Sequence, residues 1–150
     1  MATTGEICSR DVVYATRDTT VQAAAKLMRR FHVGTVVVAD DVGGRRIPVG
    51  IVTDRDVVVE VNAVDLNPNV ITVGDIMTPG LVTVREEEGA LEAIEIMRSK
   101  RVRRLPVVDR AGGLVGIISI DDLLEVLAEE MTGMARISRR ERAHEQARRK

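Results

Sequence analysis

The sequence predicts an α/β protein of the α+β kind: two tandem copies of one unit, each a short, mixed and mostly antiparallel sheet with two helices. The copies are expected to pack about a pseudo-twofold axis through their sheets. Three observations carry this expectation: an internal repeat, one helix and strand order in both copies, and sheets too short to cover their own apolar faces.

Residues 9–40 match residues 78–109 at an offset of 69, with Val13/Val82, Ala24/Ala93, Met28/Met97, Arg29/Arg98, Val33/Val102, Val38/Val107 and Asp40/Asp109 identical. A Gly-rich loop three residues longer in the first copy then shifts the offset to 66, which pairs Gly50-Ile51 with Gly116-Ile117 and Asp56 with Asp122. Insertions at such turns cost little.

Each copy opens with apolar residues at helical spacing: Val21, Ala24, Ala25 and Met28, then Ala90, Ala93, Ile94 and Met97. A β-branched run follows (Val36 to Val38; Leu105 to Val108), then a Gly-containing turn and a second strand reading Gly-Ile-Val-Thr or Gly-Ile-Ile-Ser. A closing helix is plainest in copy two, where Leu123, Leu124, Leu127 and Met131 share an apolar face. The expected order is α-β-β-α. The boundaries read as repeat one over 6–62, a linker over 63–75 around Asn67-Pro68-Asn69, repeat two over 76–131, and a basic tail over 132–150.

Hydrophobic residues make up 45% and charged residues 30% of the 150, a globular composition. One Tyr, one Phe and no Trp leave almost nothing on which nucleic-acid bases could stack. No apolar run approaches the ~20 residues of a membrane span, and MATTGEICSR has no signal-peptide core, so a cytoplasmic protein without a membrane partner is expected. Cys8 is the single cysteine and reads as a buried structural thiol, with no metal site predicted.

Four elements together resemble the paired cystathionine β-synthase (CBS) domains, or Bateman module, of small stand-alone bacterial proteins. They are Gly50 to Asp56 (GIVTDRD), Asp75 to Thr78 (DIMT), Val102 to Asp109 (VRRLPVVD) and Gly116 to Asp122 (GIISIDD). The resemblance spans about residues 6–131. It implies a homodimer that binds an adenine nucleotide between repeats and regulates an unknown client protein. AMP is the first expectation, with ATP, NAD or S-adenosylmethionine as alternatives.

A nucleotide needs a carboxylate for its ribose hydroxyls, a dry slot for its base and donors for its phosphates. Thr53-x-x-Asp56 and Ser119-x-x-Asp122 supply the carboxylates, but the same spacing makes a helix capping box, and the residues alone leave both readings open. The resemblance implies that these positions face the cleft and that each site borrows the leading stretch of the other repeat. Asp122, Ser119 and Ile117 would then work with Ser9, Val13, Val33 and Thr35, and Asp56, Thr53 and Ile51 with Thr78, Val82 and Val102. The apolar members read equally as core. Arg103 and Arg104 are adjacent at a strand start and point to different sides, so one can face the cleft and hold phosphate; an exposed basic rim is the other reading. Because copy one has Gly34-Thr35 in their place, the Asp122 site is expected to be the better supplied with cations. His32 reads as a helix-terminal residue.

The tail, Arg136 to Lys150, has seven Arg or Lys against two Glu. It reads as a solvated helical extension, with docking to an acidic partner or nucleic acid as the other reading. No paired base and nucleophile, metal cluster or P-loop pattern occurs, so no catalytic activity is expected.

Overall fold

The computed structural model describes residues 1–149; Lys150, the last residue of the predicted tail, lies outside the described residues. Two three-stranded sheets form, one per repeat. In the first, β1 (Tyr14–Ala15) runs parallel to β2 (Thr35–Val42), which pairs antiparallel with β3 (Arg45–Thr53). In the second, β4 (Val84–Arg85), β5 (Arg104–Val108) and β6 (Leu114–Ser119) repeat that order and orientation. The short parallel strands β1 and β4 correct the expected α-β-β-α order. At two residues each, they are too short to show as a periodic run.

Helices α2 (Val21–Phe31) and α5 (Ala90–Lys100) bury Val21, Ala24 and Met28, and Ala90, Ala93 and Met97, as their spacing predicts. Each ends on a non-glycine residue in the left-handed region, His32 (φ 54°) and Arg101 (φ 57°). The closing helix of repeat one is α3 (Asp54–Asp56), which widens directly into a π-helical turn over Val57–Asn62. That of repeat two, α6 (Ile120–Arg148), is 29 residues long.

The two repeats exchange their leading segments. Short α1 (Thr4–Ile7) packs in the second core, where Cys8 sits with Val84, Ala93, Leu105 and Ile118, and α4 (Val73–Ile76) brings Val73 into the first core with Ala24, Val36 and Val52. Backbone bonds fix the exchange: Thr4 N–H donates to Glu88 O (2.7 Å), and Val73 N–H donates to Thr19 O (2.8 Å). Two glycines permit the close approach. A Cβ on Gly50 would lie 2.5 Å from Met77 Sδ, and one on Gly116 would lie 2.7 Å from the Ser9 carbonyl oxygen.

The expected apolar face of α6 divides. Leu123 is fully buried, but Leu124 is 56% and Met131 66% exposed, and every described residue from Ala128 onward is exposed. The helix leaves the body after its second turn. Acidic residues gather in its first turns (Asp121, Asp122, Glu125) and arginines toward its end, a distribution that suits the helix dipole and steadies a rod with few packing contacts.

Candidate functional site

The strand-to-helix junctions place the two predicted carboxylates. β3 ends at Thr53, which caps α3: Thr53 N–H donates to Asp56 Oδ2 (2.8 Å), and Asp56 N–H donates to Thr53 Oγ1 (3.2 Å). Ser119 and Asp122 form the same box at α6, with bonds of 2.7 and 3.2 Å and a further 2.7 Å bond from Ser119 Oγ to Asp122 Oδ2. The capping reading therefore holds at both motifs. It leaves room for binding, because each box uses only Oδ2 and the half-buried carboxylates keep Oδ1 as a further acceptor.

Asp56 and Thr53 open onto a cleft of about 490 Å³ between the repeats. One wall comes from Thr35, Ile51 and Thr53 of repeat one. The other comes from the loop Thr78 to Val82 and from Arg101 to Arg104, including Val102. Thr35, Ile51, Thr53, Asp56, Thr78, Val82, Val102, Arg103 and Arg104 are thus brought together. Four guanidinium groups, Arg55, Arg101, Arg103 and Arg104, face one carboxylate, Asp56, and all four arginines are exposed and free to reorient.

The second hollow is smaller, about 230 Å³, and joins Val13, Val33 and Ile117 with Asp11, His32, Gly34, Thr35 and Arg104. Asp122 and Ser119 do not line it, and Ser9 lies against the sheet instead of in the hollow. The reason is a local pairing. Ser9 and Ile117 exchange two backbone hydrogen bonds of 2.9 Å, which draws the leading segment onto β6. Thr78, the counterpart of Ser9, makes no such pair with Ile51 among the described bonds, and its loop, Thr78 to Val82, lines the Asp56 cleft.

The cation expectation is likewise corrected: Arg103 lines the Asp56 cleft, and Arg104 lines both cavities. The exchange of leading segments carries the whole strand start Val102 to Arg104 across to the Thr53-Asp56 motif. Val102 was assigned to that cleft from the sequence, and its two neighbours could have been read with it. Arg55 stands inside the quoted GIVTDRD motif, whereas Arg101 and Asp11 had no sequence signal.

One buried side-chain oxygen finds no hydrogen-bond partner among the described residues, Thr35 Oγ1, in a residue 8% exposed that lines both cavities. Buried hydroxyls are nearly always satisfied by protein or by an ordered water, which makes Thr35 Oγ1 the one orphan beside the two cavities among the described residues. Cys8 is a free thiol in the second core, and burial pushes its pKa up, away from reactivity. Among the described residues no group of three or more His, Cys, Asp or Glu is placed to hold a metal ion, and no helix is long and apolar enough to cross a membrane.

Two sheets with exchanged leading segments, closed by capped helices around an inter-repeat cleft, define a tandem-repeat module of the Bateman type. The CBS domain family model matches residues 5–63 and 73–129, and the chain belongs to that family. Among its relatives, an uncharacterised protein of Methanopyrus kandleri is 37% identical over 122 residues, covering 81% of this chain and 61% of the relative. A CBS domain-containing mitochondrial protein of Arabidopsis thaliana is 32% identical, with coverages of 87% and 63%. The chain thus spans about three fifths of the length of these two relatives.

Solved structures agree. A putative signal-transduction protein with CBS domains from Burkholderia ambifaria superposes with a TM-score of 0.73 at 31% identity, covering 84% of this chain and 93% of the other. The CBS domain pair of protein MJ0100, in complex with 5′-methylthioadenosine and S-adenosyl-L-methionine, gives 0.71 at 25% identity, with coverages of 84% and 99%. The cytosolic domain of the Mg²⁺ channel MgtE, in complex with ATP, gives 0.71 at 28% identity, with coverages of 83% and 48%.

Proposed function

We propose that this chain is a non-catalytic regulatory module that binds an adenine nucleotide in the Asp56 cleft and passes its occupancy to a client protein. The observation that carries the proposal is the cleft's set of groups. Asp56 keeps an oxygen free to accept from ribose hydroxyls, Ile51, Val82 and Val102 supply apolar surface, and four arginines line the same cleft as donors for phosphates. Its volume falls within the range usual for small-molecule sites. The adenosine compounds held by the CBS pairs of MJ0100 and MgtE support the same ligand class.

AMP brings a single phosphate to four guanidinium groups. A di- or triphosphate uses more of them, so ATP or NAD suits this cleft better. Occupancy can act on a client only by favouring one arrangement of the repeats over another.

Calorimetric titration of nucleotide-stripped protein with AMP, ATP, NAD and S-adenosylmethionine tests the reading. Saturable binding of one of them, weakened at least about tenfold by Asp56→Ala in a protein that still folds, is the expected result. Absence of binding by every ligand would overturn it. A second reading, a scaffold whose basic segment docks an acidic partner or nucleic acid, is favoured by the exposure of α6 beyond Ala128. Salt-sensitive nucleic-acid binding that disappears on removal of residues 136–150 is its signature.

A further inference from the structure

Helix α6 carries an apolar stripe that the rest of the chain leaves largely uncovered. Leu124, Leu127, Met131 and Met134 recur at alternating steps of three and four residues, the spacing that keeps side chains on one helix face, and Ile137 continues the stripe. Leu127 is half-buried, while Leu124, Met131, Met134 (63%) and Ile137 (61%) are exposed. Leu123, fully buried, turns a different face of the helix to the body. At a rise of 1.5 Å per residue the stripe is about 20 Å long. Its last three members lie beyond residue 129, where the match to the CBS family model ends.

The charges of α6 are sorted along its length. Asp121, Asp122, Glu125, Glu129 and Glu130 precede Met131 with no basic residue among them, and Met131 to Ala135 is uncharged. Arg136, Arg139, Arg140, Arg142 and Arg148 follow, against Glu141 and Glu145. Among the described residues, none of these groups forms a salt bridge within the chain. Two such helices lying parallel would set acid on acid and arginine on arginine, whereas antiparallel helices set each acidic half beside an arginine half. A crossing centred between Met131 and Met134 brings Glu125 and Glu129 level with Arg140 and Arg136 of the second copy. The same acids that flank the stripe disfavour an anionic lipid surface as its cover.

We propose that the stripe of α6 is covered by α6 of a second copy of this chain, running antiparallel, with the acidic half of each helix alongside the arginine half of the other. Met131 and Met134 stand at the centre of the pair, where flexible thioethers can fit to one another across the axis. None of these residues lines the Asp56 cleft, so the inference is independent of the nucleotide reading. A contact of this length belongs to the small, transient class, and a dissociation constant on the order of 10 μM is expected.

Sedimentation of the full chain across the micromolar range, with far-UV circular dichroism to confirm folding, is the test. The parent is expected to show a step of self-association that Met131→Asp combined with Met134→Asp abolishes. Glu125→Arg, Glu129→Arg and Glu130→Arg together are expected to weaken that step at least about tenfold, and so are Arg136→Glu, Arg139→Glu and Arg140→Glu together. All six changes in one chain make the halves complementary again and are expected to return the step to within about threefold of the parent. That recovery is particular to antiparallel pairing, since parallel copies repel in the parent and in the six-substitution chain alike.

If Met131→Asp with Met134→Asp removes no step of self-association, or the parent shows none, the inference is overturned. A folded six-substitution chain that fails to recover overturns it as well. So does binding of the parent to phosphatidylserine vesicles that the paired Met substitutions abolish, which would name a lipid surface as the cover. A nucleotide titration without binding removes the functional reading and leaves this inference standing.

Discussion

Thr35 is where stability and binding can be set against each other. A buried hydroxyl without a partner costs about 1–3 kcal/mol, so Thr35→Val, close to isosteric, is expected to stabilise the free protein by about 1 kcal/mol, seen as a rise in thermal midpoint. The same change removes a polar atom from the cleft wall and is expected to weaken nucleotide binding severalfold by calorimetry. A variant both more stable and equally tight would show that the hydroxyl has no part in the site. Asp56 and Asp122 teach a related lesson. Their spacing allowed capping or binding, and the structure shows capping at both, yet only Asp56 also opens onto a cleft of ligand size. Nothing local to either motif separates them. The difference is made by Ser9 pairing with Ile117 on one side and by the free Thr78 loop on the other.

Among the elements, the exchanged leading segments hold the repeats together, and the two glycines beneath them measure how tightly. In Gly116→Ala the new methyl meets the Ser9 backbone carbonyl at 2.7 Å as well as the Cys8 thiol. Backbone pinned by two hydrogen bonds cannot move aside cheaply, so a loss of about 2–3 kcal/mol is expected in chemical denaturation. Gly50→Ala meets only the Met77 side chain, whose sulfur can swing away, and is expected to cost about 1 kcal/mol. Equal costs would mean that the two segments are seated alike.

The elements were also unevenly legible in the sequence. The duplication, α2, α5, β2, β3, β5 and β6 could be read from spacing, because long amphipathic helices and β-branched runs have periods of their own. Strands β1 and β4 could not, since two residues carry no period and exist only because β2 and β5 offer an edge. Of the Asp56 cleft, Asp56, Thr53, Ile51, Thr78, Val82 and Val102 were legible together, and its arginines were not. Arg103 was expected beside Asp122 and lines the Asp56 cleft instead, while Arg104 lines both cavities, because the exchange of segments decides which motif a strand start faces.

At the scale of the whole molecule, α6 joins the repeats to what lies outside them. Its described residues beyond Leu127 are all exposed, so removing 128–150 from the dilute, unpaired chain is expected to shift the thermal midpoint by less than about 2 °C and to leave ATP affinity unchanged. A larger drop would show that the helix is covered in the working assembly. The helix is rooted at the Ser119-Asp122 cap, on the strand whose Ile117 borders the smaller hollow. At a rise of 1.5 Å per residue it extends about 43 Å from that root. A rigid rod of that length is a pointer on a short fulcrum. A tilt of about 10° at the cap would sweep its arginine-bearing tip through roughly 7 Å, so a small rearrangement beside the hollow would become a much larger displacement at the far end.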